Sequence, residues 1–147
     1  MPTDTARAEQ RIAAPTADVL ATIHDVASQP EWIPEIREVE VLEVGDDGLA
    51  LRAALAASTA VGTDRYTLAY THRADGIRWT LESGRLQTRQ EGDLSAVPAA
   101  DGSGATTVVY ELTIEHPLPL PGFVRSRVIK GLVAGTVEGL RARHEAP

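Results

Sequence analysis

The segment Gly122–His144, GFVRSRVIKGLVAGTVEGLRARH, decides the fold, because it is the longest stretch of the chain with a helical period. Mainly apolar side chains share one face of the predicted helix: Ile129, Leu132, Val133, Thr136 and Leu140, flanked by Val128 and Val137. Charged residues fall on the other face. Pro117, Pro119 and Pro121 separate the segment from earlier elements. The pattern predicts one long amphipathic helix that covers an apolar surface.

Three glycines recur along one edge of this helix at every fourth residue: Gly131, Gly135 and Gly139. Each costs roughly 1 kcal/mol relative to alanine inside a helix. Three in register indicate that something approaches the helix closely. The period alone leaves open whether this is a packed core, another chain or a ligand.

The bulk composition is that of an ordinary globular protein, with 43% hydrophobic and 24% charged residues in a chain of 147. This length predicts a single domain, 1–147. Cysteine is absent, which excludes thiolate chemistry. No apolar run approaches the ~20 residues of a membrane span, and the N-terminal residues lack a signal pattern. We therefore expect a cytoplasmic protein without stable membrane insertion.

The net charge of -7 is unevenly distributed. Residues 121–147 carry five basic and two acidic side chains, so the rest of the chain is strongly acidic. An acidic body argues against nucleic acid as a partner. The basic helix could contact an anionic surface, or it could simply present a solvated outer face.

The remainder of the chain has mostly the period of two that indicates strands. A half-buried strand covers about 5–13, and Thr16 is expected to cap a short helix after it. Pro30 and Pro34 leave room for one helical turn that buries Trp32. Six strands follow from Arg37 onwards, joined by tight turns, with a bulge expected near Val41–Leu42. The predicted order β-αα-β6-α is an α+β fold in which an antiparallel sheet is covered by the last helix.

Several segments in this order resemble the START-like (SRPBCC) superfamily, the polyketide cyclase/dehydrase and lipid-transport family, to which the plant Bet v 1 allergens are related. The likeness rests on segments at 12–19, 30–34, 66–70, 77–79, 104–110 and 119–123. They are the strand-to-helix opening, the Pro-Glu-Trp turn, the central hairpin, the last strand and the lead into the helix. The resemblance implies a helix-grip fold, in which a curved sheet of about seven strands wraps the long helix and leaves a ligand cavity.

Strand parity and this resemblance together select the residues expected to bind a ligand. Most are apolar, and small residues leave volume unfilled, as a hydrophobic ligand requires. The three helix glycines, with Val128, Leu132 and Thr136, are expected to form one cavity wall. The predicted ligand-binding set is Trp32, Leu51, Leu55, Tyr66, Leu68, Tyr70, Trp79, Leu81, Gln90, Tyr110, Leu112, Val128, Leu132, Gly135 and Thr136.

The sequence offers few catalytic groups. The weak candidates are Tyr70 and His72, which share the inward parity, although a histidine at a strand end can equally be a rim residue. Asp64 also has the inward parity but lies at a turn. Arg125 could pair with a carboxylate at the cavity entrance or be solvated. No spacing suggests a metal, and no cofactor is expected.

The leading functional hypothesis is a binding protein for a small hydrophobic ligand, such as a lipid, a polyketide or an aromatic metabolite. The alternative is an enzyme of the polyketide cyclase/aromatase class that acts in the same cavity, where shape could orient the substrate. A third possibility, also implied by the resemblance, is a stress-response or co-chaperone-like interaction domain. The sequence leaves the oligomeric state open between monomer and homodimer.

Overall fold

A computed structural model of the chain describes residues 3–59, 62–115 and 120–145. Within these ranges, seven strands form one antiparallel sheet in the order β1-β7-β6-β5-β4-β3-β2. The expected meander of six strands is therefore present, and β1 joins it beside β7. The strands are β1 (Thr3–Ile12), β2 (Ile36–Val44), β3 (Ala50–Thr59), β4 (Gly62–Arg73), β5 (Gly76–Gly84), β6 (Arg89–Pro98) and β7 (Thr106–Glu115).

The long helix α2 (Gly122–Glu145) begins and ends within a residue of the predicted segment. It packs across β1 and β7 and buries one face of mainly apolar residues, namely Ile129, Val133, Thr136, Val137 and Leu140. Leu132 is half-buried, and Val128 is 43% exposed. The curved sheet wrapped around α2 is the helix-grip arrangement that the resemblance implied. His116 and the prolines at 117 and 119 lie outside the described residues.

Two short helices, α1 (Thr16–His24) and a 3₁₀ helix (Val26–Glu31), follow β1. Two details differ from expectation. Pro15 occupies the N-cap position of α1, and the Thr16 hydroxyl contacts the Thr106 hydroxyl at 3.0 Å instead of capping the helix. The 3₁₀ turn also ends at Glu31 instead of lying between the two prolines. Pro34 disfavours helical backbone at the residue before it, and the chain passes through a turn, in which the Ile36 amide donates to the Ile33 carbonyl at 3.2 Å, before β2 begins.

The bulge predicted near Val41–Leu42 is present as a shift in the β2–β3 register between Val41 and Glu43. A second shift follows immediately, between Glu43 and Val44, and leaves Leu51 of β3 without a partner in β2. Because an extra residue reverses the alternation of faces, Leu51 points outward and is 36% exposed. The strict parity that placed Leu51 toward the helix is therefore wrong at this one position.

None of the described helices is both long enough and apolar enough to cross a membrane. The core lies between the concave face of the sheet and α2, with α1 and the 3₁₀ helix closing one end. Ile12, Ile23, Ile77, Leu94 and Leu140 are almost completely buried in it.

Candidate functional site

A cavity of about 150 Å³ lies between the concave face of the sheet and residues 125–136 of α2, most of them in its first half. Its walls are mostly apolar. Ten of the fifteen predicted ligand-binding residues line it: Leu55, Tyr66, Leu68, Trp79, Gln90, Tyr110, Leu112, Val128, Leu132 and Thr136. Thr59 and Val128 are the exposed members of the lining, so the cavity approaches solvent between the end of β3 and the first turns of α2.

Five predicted residues are not part of the lining. Leu51 faces outward because of the bulge described above. Leu81 is half-buried near the end of β5, where its side chain packs toward Gly84. Trp32 is 5% exposed and donates from Nε1 to the Ser28 hydroxyl at 3.0 Å, which places it in the closed end of the fold.

Tyr70 does have the inward orientation, but its ring packs against Trp79, with centroids 6.2 Å apart. Since Trp79 itself lines the cavity, Tyr70 supports the wall without forming it. Its hydroxyl is buried and has no hydrogen-bond partner among the residues that the structure describes. Burial raises the pKa of this phenol, so it remains protonated at neutral pH.

The three helix glycines do not form one wall, contrary to expectation. A Cβ at Gly131 would meet nothing, because that position is exposed. A Cβ at Gly135 would lie 3.6 Å from Oε1 of Glu35, an ordinary contact with a side chain that does line the cavity. A Cβ at Gly139 would lie 1.8 Å from the Trp32 carbonyl oxygen. Of the three positions, only 139 requires glycine because of a close contact, and that contact is with the backbone of Trp32.

His72 also lies away from the cavity. Its Nε2 donates to the Ala50 carbonyl at 2.7 Å, and its Nδ1 lies 2.8 Å from Nδ1 of His24 in α1. Because Nε2 carries the proton, the neutral His72 ring accepts at Nδ1 from a His24 Nδ1–H. The pair joins α1 to β4. His72 therefore has a structural role in the closed end of the molecule.

Aromatic side chains form one side of the cavity. The Trp79 ring is 5.6 Å from that of Tyr110, at a tilted angle of 52°. Gly92, directly across from Trp79 in β6, makes this position possible, because a Cβ there would lie 2.1 Å from the indole ring. The ring therefore lies over the backbone of β6 and leaves the cavity open.

A chain of hydrogen bonds runs from Trp79 to the edge of the cavity. Trp79 Nε1 donates to Gln90 Oε1 at 2.8 Å, and Gln90 Nε2 donates to Gln87 Oε1 at 2.6 Å. Gln87 Nε2 in turn donates to Asp64 Oδ2 at 2.8 Å, while the Leu86 amide donates to Oδ1 of the same carboxylate at 3.1 Å. The inward parity of Asp64 was visible in the sequence, but its partners lie in the β5–β6 loop. This chain satisfies the polar groups on its side of the cavity.

Arg125, whose role was left open, pairs with a carboxylate. Its Nε lies 3.0 Å from Asp4 Oδ2, and its Nη1 donates to the Leu120 carbonyl at 2.7 Å. Both charged side chains are largely buried, at 18% and 15% exposed. Both residues line the cavity, so this ion pair ties the start of α2 to β1 beside it.

Glu35 is the lining residue that sequence reasoning missed most clearly. It follows Pro34, and its carbonyl accepts from the Ser58 amide at 2.8 Å, which fixes it beside the end of β3. Its Oε2 is buried and has no hydrogen-bond partner in the part of the chain that the structure describes. The residue lies in a connection without periodicity, so no sequence pattern could assign its direction.

The pKa values of Tyr66 and Tyr110 are raised, and nearby acidic groups contribute to the shift. Burial raises the pKa of Tyr66 first, and the charges of Asp64 and Glu35 raise it further. Burial also raises the pKa of Tyr110, and the charges of the neighbouring tyrosines and of Glu35 raise it further. Both phenols therefore remain protonated and able to donate a hydrogen bond. Among the described residues, no cluster of three or more His, Cys, Asp or Glu side chains could hold a metal ion.

Comparison with solved structures shows the same fold over almost the entire chain. A START superfamily protein from Mycobacterium smegmatis has a TM-score of 0.86 and 24% identity, with 96% of this chain and 97% of that chain covered. A Thermus thermophilus protein has a TM-score of 0.81 and 24% identity, with 97% of each chain covered. An aromatase/cyclase from a Streptomyces species has a TM-score of 0.72 and 18% identity, with 99% and 98% covered.

These identities are too low to transfer an activity. A search of curated proteins found no significant match. The sequence profile described as "Polyketide cyclase / dehydrase and lipid transport" matches residues 3–145, which is nearly the whole chain. The family resemblance noted from the sequence is thereby confirmed: the chain belongs to the polyketide cyclase/dehydrase and lipid-transport family.

Proposed function

We propose that the protein binds a small hydrophobic ligand, such as a lipid, a polyketide or an aromatic metabolite, in the cavity between the sheet and α2. The observation that carries the proposal is the cavity itself, about 150 Å³ lined mainly by Leu, Ile, Val and aromatic side chains. Apolar cavities of about this size stay dry and accept a single benzene-sized ring. Membership of a family described by polyketide chemistry and lipid transport supports the same conclusion.

The volume sets a limit on the part of the ligand that is enclosed. About one ring, or a short alkyl segment, fits inside; the rest of a larger ligand would extend past Val128 and the end of β3. The protonated Tyr66 and Tyr110 hydroxyls supply donors for a carbonyl or hydroxyl of the enclosed part.

A cavity-filling variant tests the proposal. Ala57 lines the cavity and is 7% exposed, so Ala57→Leu should occupy part of the space that a ligand requires. We expect at least a tenfold loss of affinity for a neutral fluorescent dye such as N-phenyl-1-naphthylamine, with the fold retained. Ala54→Leu is the matched control, because this residue is on the same strand and outside the cavity lining.

Native mass spectrometry of the protein as isolated is the complementary measurement. A co-purified mass that is lost in Ala57→Leu and kept in Ala54→Leu would identify the natural ligand. The proposal fails if the unaltered protein carries no such mass and also binds neither the dye nor a one-ring hydrocarbon.

A polyketide cyclase or aromatase activity is the second candidate. One observation favours it: an acidic residue, Glu35, and two protonated phenols, Tyr66 and Tyr110, border the same cavity. Closing a ring by aldol chemistry requires a base that removes a proton from carbon and an acid that protonates a carbonyl oxygen. Tyr70 and His72, the candidates from the sequence, do not border the cavity. An enzyme should lose turnover in Tyr66→Phe while it retains affinity, whereas a carrier has no turnover to lose.

A further inference from the structure

Three of the polar or charged side chains that line the cavity, those of Asp64, Arg125 and Thr136, are engaged with other protein groups. Asp64 accepts from Gln87 and from the Leu86 amide. Arg125 is committed to Asp4 and to a backbone carbonyl. The hydroxyl of Thr136 donates to the Leu132 carbonyl at 2.9 Å. These groups orient the walls, but they have little capacity left for a ligand.

Glu35 is different. Its Oε2 is buried without a hydrogen-bond partner in the described ranges, and the ion pairs found there do not include it. A buried polar oxygen without a partner destabilises the folded protein, and does so more strongly if it carries a charge. Such groups are few in native proteins, and each calls for an explanation, such as a functional role or a bound water, ion or ligand.

The position of Glu35 is held from three sides. Pro34 restricts the backbone before it, the Ser58 amide binds its carbonyl, and its Oε1 lies against α2 at Gly135. The backbone of Glu35 is therefore fixed beside the end of β3, with its side chain between β3 and α2. Its charge also contributes to the raised pKa of Tyr66 and Tyr110, two other members of the lining. The electrostatic influence of the carboxylate therefore extends to other side chains of the cavity.

The charge balance of the lining adds a second constraint. The acidic members are Asp4, Glu35 and Asp64, and the basic member is Arg125, which Asp4 already neutralises. A ligand carboxylate would therefore be placed near two uncompensated negative charges in a mostly apolar space, where charge repulsion is strong. An O–H or N–H donor would instead find an acceptor ready.

We propose that the ligand presents a hydrogen-bond donor, a phenolic hydroxyl or an amine, to the carboxylate of Glu35, and that the cavity rejects carboxylates such as free fatty acids. This inference rests on the proposed ligand-binding function and narrows the class of ligand. The proposal distinguishes three classes of ligand. A hydroxylated aromatic ring donates a hydrogen bond to Glu35, a hydrocarbon leaves the Glu35 oxygen unpaired, and the carboxylate of a fatty acid is repelled by it.

Three one-ring probes that share the ethylphenyl group test the proposal: ethylbenzene, 4-ethylphenol and 4-ethylbenzoate. Affinities are measured by isothermal titration calorimetry or ligand-observed NMR at neutral pH. We expect 4-ethylphenol to bind about tenfold more tightly than ethylbenzene, as a hydrogen bond to a charged acceptor provides. The benzoate should bind most weakly of the three.

Two variants of Glu35 assign the effect. Glu35→Leu should reduce the preference for 4-ethylphenol over ethylbenzene to less than about twofold. Glu35→Gln, which removes the charge and keeps the shape, should improve 4-ethylbenzoate binding several-fold. Glu38→Gln is the matched control, because this carboxylate is on neighbouring β2, 71% exposed and outside the lining; it should leave all three affinities unchanged. Melting temperatures confirm that each variant is folded.

The outcomes separate the two proposals. If the protein binds ethylbenzene and 4-ethylphenol equally, or if Glu35→Leu keeps the full preference for the phenol, the role of Glu35 is refuted while the binding cavity stands. If none of the three probes binds, the cavity proposal and the inference built on it both fall. A benzoate that binds as tightly as the phenol would also overturn the inference.

Discussion

The two halves of α2 have the same amphipathic pattern but meet the rest of the molecule differently. In the first half, Val128 is 43% exposed, Leu132 is half-buried, and both border the cavity. In the second half, Leu140 is completely buried and the backbone at Gly139 lies against the Trp32 carbonyl. The second half of the helix thus packs directly against neighbouring backbone, whereas the first half borders the cavity, although Ile129 is buried there as well.

The tight end also carries most of the polar contacts that hold α2 to the short helices. His144 Nε2 is 2.9 Å from the Thr22 hydroxyl in α1, and Arg143 pairs with Glu31 at 3.1 Å. Glu145 accepts from the Ala13 amide at 2.8 Å. At the open end, the buried Arg125–Asp4 pair fixes the helix to β1. This difference indicates that the contacts at the C-terminal end of α2 hold the helix in place, so that its N-terminal half can border the cavity without loss of the fold.

The largest effect that would test this comparison is expected at Leu140. Because its side chain is fully buried in the tight half, Leu140→Ala should lower the free energy of unfolding by about 3–5 kcal/mol. Leu132→Ala in the open half should cost only about 1 kcal/mol, since that side chain is half-buried beside a cavity. Urea unfolding measures both. Equal losses would mean that the two halves are packed alike.

The glycines provide the next largest contrast. A methyl group at position 139 would lie 1.8 Å from a backbone oxygen, so Gly139→Ala should destabilise the protein by about 2–3 kcal/mol. The same change at the open position, Gly131→Ala, should stabilise it by up to about 1 kcal/mol through helix propensity. Thermal unfolding of the two variants decides the matter, and a shift of the same sign in both would contradict the structure.

The smallest effect is a dependence of stability on pH at the tight end. Burial, and then the charge of His72, lowers the pKa of His24 below its ordinary value of 6.5; burial and Arg143 likewise lower that of His144. Because the folded pKa values are depressed, this stability is fully present above about pH 6.5 and is lost as the pH falls below it. Both rings retain some solvent contact, so the loss should be less than about 1 kcal/mol.

Unfolding curves from pH 8 down to pH 5, with and without His24→Gln and His144→Gln, measure this effect. The double variant should flatten the pH dependence in that window. A protein that instead gains stability on acidification through this range would show that the two histidines are better solvated, or better paired with acids, than their positions indicate.

Much of the fold could be predicted because it depends on local period. The alternation in β4, β5 and β7 and the spacing in α2 specified which side chains face inward, and most of them do. The bulge near Val41 was also visible as a slip in parity. Leu51 was misassigned because of the second register shift. That shift is a property of the pairing between β2 and β3, so the residue pattern of either strand alone does not show it.

The site was predicted less completely, for a physical reason. Tyr66, Trp79 and Tyr110 lie on regular strands, so their direction follows from parity. Glu35 and Gln87 lie in connections, where backbone direction depends on distant partners such as Ser58 and Asp64. Gly139 was correctly singled out as a point of close approach, but the sequence could not show that a carbonyl, and not a ligand, approaches it.

By itself, the sequence determined the order of elements, the apolar faces of sheet and helix, and the resemblance that family membership confirms. These follow from short-range patterns, since period and turn residues act within a few positions. The tertiary structure alone decided which half of α2 borders a cavity, which glycine is required by packing, and that Glu35 is left with an unpartnered oxygen beside that cavity. Each of these depends on groups distant in sequence that meet only when the sheet curves around the helix.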